Sequence, residues 1–381
     1  MTSYTIIKHL NDLPDLGIIF SENIIHDLSL GDSEKIDNAK NKIENVDQQE
    51  WSRFRKYSNI YEFPRLSKYN IFKPISRAYY KIWEIIFDYN IDCDTETFHI
   101  AESPGGFIQA ILEYKKRKYL SIKKCFTTSL SDCINTDIPN YHRFIVNNKN
   151  VEILVNKNCN GDVSDPKNII YLYTKLKDSK IKFITADGGI NDQGNYNNKE
   201  VTHIRLILCE VYLSLLILEN GGTFVIKVFD IFTKATCDIL YLLTYFFKEV
   251  IISKPLTSRS TNSEKYLVCK GYIKNNFSLK YKNTLFKCIS DHTKNNNLYI
   301  RSLFKEIPEE FVKNIYLFNN DFTKNQILSI ENTLDFMKNG TGIVDAFNRS
   351  DLRTYDFEIK KESLNRKWLE KYNLTNQYSK R

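Results

Sequence analysis

Residues 221–230 read GGTFVIKVFD, an apolar run with a lysine inside it. Thr223 to Phe229 is β-branched and aromatic, the mix that packs on a pleated sheet. An ammonium at Lys227 costs free energy there unless an anion pairs it or its pKa falls. The ordinary alternative is a buried stem with the charge reaching water. A desolvated lysine can stabilise negative charge developing on an oxygen, or accept a proton if its pKa has fallen. Two carboxylates end similar runs: Glu102 follows TFHIA, and Asp187 ends KFITAD ahead of two glycines. Singly, Asp187 reads as a turn residue. After Glu102 comes SPGGFIQA, a tight glycine turn and a helix start. Glycines let a backbone approach a ligand closely, and a helix N-terminus favours an anion such as a carboxylate. The turn is not GxGxxG, and no GK[ST] occurs, so neither a dinucleotide fingerprint nor a P-loop is present.

The elements that must position these groups follow from periodicity. TFHIAE (97–102), KCFTTS (124–129), VEILVN (151–156), KFITAD (182–187), GGTFVIKVF (221–229), EVIISKP (249–255) and KYLVCKGYI (265–273) read as strands. Between them lie helical patterns at GGFIQAILEYKKRK, DPKNIIYLYTKLKD (165–178), KEVTHIRLILCEVYLSLLILEN (199–220) and ATCDILYLLTYFF. Ahead of them SRAYYKIWEII (76–86) reads as a helix with Ser76 as N-cap. The expected fold is α/β: a Rossmann-like, mostly parallel sheet with helices on both faces. One strand is antiparallel, because the last two have no crossover helix between them. Ligands of such sheets bind at the carboxyl ends of the strands. Glu102, Asp187 and Lys227 all fall there. Residues 1–70 and 285–381 carry only weak helical periodicity.

Charge is unevenly spread. Of the net +8, residues 1–50 contribute four Lys/Arg against ten Asp/Glu, so the remainder carries +14. Residues 51–86 hold eight basic and two acidic side chains among Trp51, Phe54, Tyr57, Tyr61, Phe63, Tyr69, Phe72, Tyr79, Tyr80 and Trp83. Cations for phosphates and rings for bases suit single-stranded nucleic acid, with Arg53, Arg55, Lys56 and Arg77 as the RNA-binding candidates. A solvated face over an aromatic core is the equal alternative. The eight cysteines form no CxxC pair and no Cys/His cluster at zinc spacing, so no metal is expected. Their scatter suits a reducing compartment, which sets a cytoplasmic location as the expectation, with a nuclear one as the secondary alternative. MTSYTIIKHLNDLPDLG has no basic region followed by an apolar core, so no signal peptide is expected. The run Leu206 to Leu218, interrupted by Glu210, is too short to span a bilayer, and no membrane association is expected.

AESPGGF resembles the cofactor loop of the FtsJ/RrmJ-type S-adenosylmethionine-dependent RNA 2′-O-methyltransferases. It is most similar to their cap-specific mRNA branch in eukaryotes and large DNA viruses. SRAYYKIWEI resembles that family's helix with the first catalytic lysine, ITADGG its aspartate motif, GGTFVIKVF its second lysine motif and SRSTNSEKYLVCKGY (258–272) its glutamate motif. The resemblance covers about residues 65–275, with 1–64 an N-terminal extension and 276–381 a mostly helical C-terminal region. It implies a catalytic group of Lys81, Asp187, Lys227 and Glu264. In that group Lys227 acts at the reacting oxygen and Asp187 orients it beside the methyl path. Glu264 pairs with a lysine, and Lys81 holds the ribose or phosphate side of the substrate. It also implies S-adenosylmethionine as cofactor, held by Glu102, Ser103, Pro104, Gly105, Gly106, Phe107 and Asp187, with Asp162 of NGDVSD (160–165) toward the adenine. TTSLSD, at the end of the second strand, offers no evident acidic partner for the cofactor ribose. The implied reaction is methylation of the first transcribed nucleotide of capped mRNA, with capping or transcription machinery as partners and, in the viral case, the host cytoplasm as location. Methylation of rRNA or tRNA, and a non-catalytic RNA-binding subunit on the same fold, are the alternatives.

Overall fold

β-branched and aromatic runs become strands here, and segments with apolar residues three and four apart become helices. In chain order these are β1 (Ser3–Lys8), β2 (Ile19–Ser21), α1 (Ser33–Glu44), α2 (Gln48–Ser58), α3 (Ala78–Asp88), β3 (Glu96–Ile100), α4 (Gly106–Arg117), β4 (Cys125–Thr128), α5 (Arg143–Val146) and β5 (Val151–Ile153). There follow α6 (Pro166–Leu176), β6 (Ile181–Ala186), α7 (Lys199–Ile217), β7 (Thr223–Val228), α8 (Lys234–Phe246), β8 (Phe247–Ser253), β9 (Lys265–Tyr272), α9 (Leu279–Lys294), β10 (Tyr299–Ser302), α10 (Glu309–Lys338) and α11 (Leu352–Lys371). They come from a computed structural model of the chain. It describes residues 3–8, 12, 14–23, 30–62, 74–130, 140–157, 159–190, 197–295, 298–338 and 352–375. Phe63, Tyr69 and Phe72 lie outside the described residues.

One sheet carries eight strands in the order β1-β8-β9-β7-β6-β3-β4-β5. The run from β7 to β5 is parallel. β9 is antiparallel to both its neighbours, β7 and β8, as the missing crossover required. β1 is a second antiparallel strand, on the β8 edge. Periodicity did not show it: six residues, SYTIIK, carry little signal, and the exposed β8 edge supplies the unpaired N–H and C=O groups that draw them in. The chain leaves β3 toward β4 and β5, then returns to the other side of β3 for β6 and β7. The crevice outside the carboxyl ends of β3 and β6 is therefore the switch point.

Both faces of the sheet are covered, so its strands read as continuous apolar runs. Ile184, Phe224, Ile226 and Leu267 pack under α7 and α8. Phe183, Val225, Tyr266 and Val268 pack under α3 and α4, with Tyr79, Trp83 and Phe107. Strand alternation puts Lys227 on the same face as Val225. α3 begins at Ala78 with Arg77 as its flanking residue and no side-chain cap, so Ser76 is not the cap expected of it. Ser76 Oγ is buried instead at the α3–α4 contact, where a Cβ on Gly106 would come within 2.2 Å of it.

The regions outside the family-like segment pack on it and on each other. β2 pairs with β10. α1 and α2 lie against α10, with Ile36, Ile43, Trp51, Ile330 and Leu334 in one cluster. Trp368 and Tyr372 of the C-terminal region join Trp83 of α3; the Trp83 indole donates to the Tyr372 carbonyl at 3.0 Å.

Candidate active site

Asp187 follows directly on β6, and its N–H donates to the Ile100 carbonyl of β3 at 3.1 Å. The carboxylate thereby sits at the switch point. Lys227 reaches it from β7: its ammonium lies 3.2 Å from Asp187 Oδ1 and donates to the Asp187 carbonyl at 2.7 Å. Tyr266, the cross-strand neighbour of Lys227 on β9, donates its hydroxyl to the same Oδ1 at 3.1 Å. Burial pulls the Lys227 pKa down, but Asp187, Glu264 and Glu210 outweigh it and hold it above the ordinary lysine value. Of the two roles open to a desolvated lysine, the structure supports the cation.

The second pair comes from α3 and the loop before β9. Lys81 Nζ lies 2.7 Å from Glu264 Oε1, both nearly buried. Ser258 Oγ donates to the same oxygen at 2.8 Å. Burial alone would raise the Glu264 carboxyl; Lys81, Lys227 and Lys254 outweigh it and hold it well below the usual carboxylate range. The Lys81 ammonium lies 6.0 Å from the centre of the Tyr266 ring. Tyr266 thus touches one pair with its hydroxyl and faces the other with its ring. All four residues named from the motifs meet at one end of the sheet.

Two further residues shape this group without having stood out in the sequence. One is Tyr266, two positions beyond Glu264 in KYLV, where strand alternation was the available signal. The other is Lys254, whose ammonium donates to the carbonyls of Asn262 at 2.8 Å and Glu264 at 2.7 Å and also contacts Asn262 Oδ1. It closes the loop that presents Glu264. Nothing in its sequence neighbourhood marks it, because its partners are backbone atoms eight and ten residues on.

The glycine turn lies beside these pairs. Glu102 is buried, and its Oε1 accepts the Phe107 N–H at 2.6 Å, capping α4. Gly105 N–H closes the turn onto the Glu102 carbonyl at 2.7 Å. Glu102 Oε2 has no partner. Burial, reinforced by the Asp187 charge, pushes this carboxyl well above the usual range. Gly106 has a packing reason of its own: a Cβ there would lie 3.0 Å from Ala78 Cβ and 3.1 Å from Tyr79 N. Ser103 and Pro104 complete the turn between Glu102 and Gly105. Asp162 accepts from Ser164 N and Oγ at 2.9 and 2.6 Å. The preceding Gly161, at φ +83°, fits against the Ser129 carbonyl past β4, where a Cβ would lie 2.0 Å from that oxygen. That contact brings Asp162 to the carboxyl edge of the sheet that also carries Glu102.

A cavity of about 230 Å³ opens next to Glu264. Trp51 and Arg55 of α2, Lys199 of α7, Gln326 of α10 and the loop residues Arg259 and Asn262 line it. Arg259 is held by Glu62 through its Nε at 2.8 Å. Arg55 is the RNA-binding candidate in this lining; Arg53 and Lys56 are exposed on α2. Arg77 is a structural clamp, donating to the carbonyls of Glu62 and Thr257. Trp51, Phe54, Tyr79, Tyr80 and Trp83 are all buried. They are core, not a stacking platform, and the expectation of rings interleaved with cations fails for them: a helix must bury one face, and these rings are its largest apolar groups.

Comparisons with known proteins agree with this geometry. The chain is 30% identical over 267 residues to the cap-specific mRNA (nucleoside-2′-O-)-methyltransferase 1A of Caenorhabditis briggsae, covering 66% of this chain and 30% of that protein. It is 28% identical over 338 residues to the cap-specific mRNA (nucleoside-2′-O-)-methyltransferase 2 of Drosophila melanogaster, covering 84% of this chain and 48% of that protein. A third relative, 32% identical over 190 residues, is named an inactive cap-specific mRNA (nucleoside-2′-O-)-methyltransferase 1B of Caenorhabditis briggsae, with 48% of this chain and 22% of that protein covered. The chain spans less than half the length of each. The FtsJ-like methyltransferase model matches residues 74–272, just over half of the chain and the segment that holds all four residues of the two ion pairs, so the chain belongs to the FtsJ-like methyltransferase family.

Proposed function

We propose that this chain transfers a methyl group from S-adenosylmethionine to a ribose 2′-hydroxyl of RNA, at the first transcribed nucleotide of a capped mRNA. The observation that carries the reading is the Lys227 ammonium, nearly buried, charged and aimed by Asp187, with Lys81–Glu264 on the other side of Tyr266. A ribose hydroxyl is a weak nucleophile, and a fixed cation at that oxygen stabilises the negative charge developing on it. Held by both the carbonyl and the carboxylate of Asp187, the ammonium needs little reorganisation as the charge develops. Lys81, paired with Glu264, offers a second positive group for the ribose or its phosphate. One relative carries the word inactive in its name, so family membership alone does not secure catalysis; the two intact lysine–carboxylate pairs favour it here.

The residues present fit the cofactor. Glu102 Oε2, buried and unmatched beside the glycine turn, is an acceptor for the ammonium of its methionine end. The Gly105–Gly106 turn supplies the close backbone, and Asp162 stands along the same edge toward the nucleoside. S-adenosylmethionine supplies a methyl on a sulfonium, already activated for in-line transfer.

The cap reading rests on the relatives' names and on the cavity beside Glu264. Arg55 and Lys199 give it a positive lining suited to the phosphates of an RNA 5′ end. Gln326 Oε1, buried and unmatched, is an acceptor that a base amine would satisfy. Methyl transfer measured on short RNAs with and without an m7Gppp cap, followed by nuclease mapping of the product, tests the whole reading. Label confined to the 2′ position next to the cap is the expected result. Equal labelling of uncapped RNA would remove the cap, and no labelling of either would remove the function.

A further inference from the structure

Three residues on one face of α3 grip the loop that carries Glu264. Arg77, Lys81 and Glu84 stand at i, i+4 and i+7, the spacing that sets side chains in one row along a helix. Arg77 donates to the Thr257 carbonyl. Lys81 meets Glu264 Oε1 at 2.7 Å. Glu84 is 2% exposed. Its Oε1 accepts the Leu256 N–H at 2.6 Å, and its Oε2 accepts the Thr257 N–H at 3.3 Å. The Thr257 hydroxyl and the Trp368 indole N–H each donate to that Oε2 at 3.2 Å. Thr257 is thereby fixed at its N–H, its carbonyl and its hydroxyl. The next residue, Ser258, donates its hydroxyl to Glu264 Oε1 at 2.8 Å, the oxygen that Lys81 meets. A ring closes: Glu84 to Thr257, Ser258 to Glu264, Glu264 to Lys81, and Lys81 back to Glu84 one turn along α3.

A buried carboxyl costs free energy unless its lone pairs are met. Glu84 takes four neutral donors, three from the loop and one from α11. An apolar side chain would pack on α3 without the desolvation cost, but it could not hold backbone amides in place. Trp368 lies outside the family-like segment 74–272. That segment by itself leaves Glu84 one donor short.

We propose that Glu84 is a positioning residue of the methyl-transfer site: by holding Leu256 and Thr257 it seats the loop on α3 so that Lys81 and Ser258 meet on one oxygen of Glu264, and Trp368 brings the C-terminal helix into the same assembly. The inference rests on the proposed function for the reaction it serves. Glu84→Gln keeps the shape and turns an amide nitrogen toward the donors, so at least one of the four bonds is lost. Trp368→Phe keeps a ring and the carboxyl and removes the indole donor. Ser258→Ala removes the link to Glu264, alone and together with Glu84→Gln. The full chain is assayed well below melting, at a pH above the value of about 7 to which burial raises the Glu84 carboxyl against its hydrogen bonds. Exchange of the Leu256 and Thr257 amides, melting temperature, affinity for S-adenosylhomocysteine, and kcat and KM on a short capped RNA are measured.

In Glu84→Gln both amides are expected to exchange at least about tenfold faster. Its kcat falls by about 30-fold, within the scale of a misplaced reacting group, while KM and cofactor-product affinity stay within about threefold of the parent. Ser258→Ala loses about tenfold in kcat and Trp368→Phe about fivefold. The double variant loses no more than about twice what Glu84→Gln loses alone, because both changes act through Glu264. A merely structural role would lower melting and leave kcat parental at the assay temperature, and unrelated effects would multiply in the double variant; either result overturns the proposal. If Glu84→Gln does not fold, Trp368→Phe decides: lower kcat with parental KM and affinity supports the proposal, and parental kcat overturns it. A parent protein that methylates no RNA would refute the proposed function instead. Amide exchange would then still decide whether Glu84 holds the loop, and parental rates in Glu84→Gln would overturn that.

Discussion

Lys227 shows how a single residue can carry the cost of its position. Its ammonium would be expensive on a buried strand, yet Asp187 takes two contacts from it and Glu264 adds a longer-range attraction, so the charge persists. Lys227→Ala and Asp187→Ala are each expected to lower methyl transfer by more than ~100-fold, the scale of removing one preorganised electrostatic group. Cofactor-product affinity and melting should change little, and near-parental rates in either variant would remove the mechanism. Glu102 gives a prediction with a sign. Burial and the Asp187 charge hold its pKa above the usual carboxylate range, so the free protein keeps this carboxyl protonated to a higher pH than an ordinary glutamate. A cationic ligand end against Oε2 lowers that pKa, so binding releases protons over the pH range in which the free carboxyl still holds one. Calorimetry of S-adenosylhomocysteine at several pH values above the ordinary carboxylate range, in buffers of different ionisation enthalpy, should show that release, and Glu102→Gln should abolish it. Binding with no proton exchanged in the parent would mean that Oε2 does not meet the ligand.

Among elements, the α3–α4 contact and the β7–β9 pairing do most to assemble the site. α3 brings Lys81, and its first turn sits so close to Gly106 that any side chain there meets Ala78 and the Tyr79 backbone. Gly106→Val is therefore expected to destabilise the fold by about 2 kcal/mol through overpacking. Thermal melting checks it, and an unchanged melting temperature with lost cofactor affinity would restore a purely ligand-facing role to this glycine. β9 supplies Tyr266 opposite Lys227, with Glu264 one residue ahead of the strand. Because β9 is antiparallel to β7, its first residues meet the last residues of β7. That is how a loop distant in sequence reaches the carboxyl ends of the parallel strands.

Over the whole molecule, the N- and C-terminal regions build the wall of a cavity that the family-like segment alone does not have. α2 contributes Trp51 and Arg55, α10 contributes Gln326, and both stand over the loop that carries Glu264. If the RNA 5′ end enters there, replacing Arg55 and Lys199 by Ala should weaken binding and reduce the dependence of log affinity on log salt by about two units. Replacing Arg53 and Lys56, exposed on α2, should leave the slope alone. Titrating a labelled capped RNA at several salt concentrations separates the two, and the opposite result would move the RNA path from the cavity to the outer surface of α2.

The sequence by itself determined seven of the sheet's eight strands and the identity of the chemical groups. Buried parallel strands leave continuous apolar runs, the crossover helices leave helical spacing, and a lysine or carboxylate inside such a run stands out because it is costly there. Lys227, Asp187 and Glu102 were legible for that reason, and Lys81 and Glu264 through their motifs. What only the tertiary structure decided was how those groups pair and which others hold them. Lys227 takes Asp187 and Lys81 takes Glu264, a choice made by the stacking of β6, β7 and β9 and by the seat of α3. Tyr266 and Lys254 act through backbone atoms or neighbours distant in sequence, and such contacts leave no local pattern. The rings of residues 51–86 were ambiguous for the converse reason: an aromatic helix face has the same spacing whether it stacks bases or packs a core, and only the position of α10 and the sheet settled that Trp51, Tyr79 and Trp83 are core.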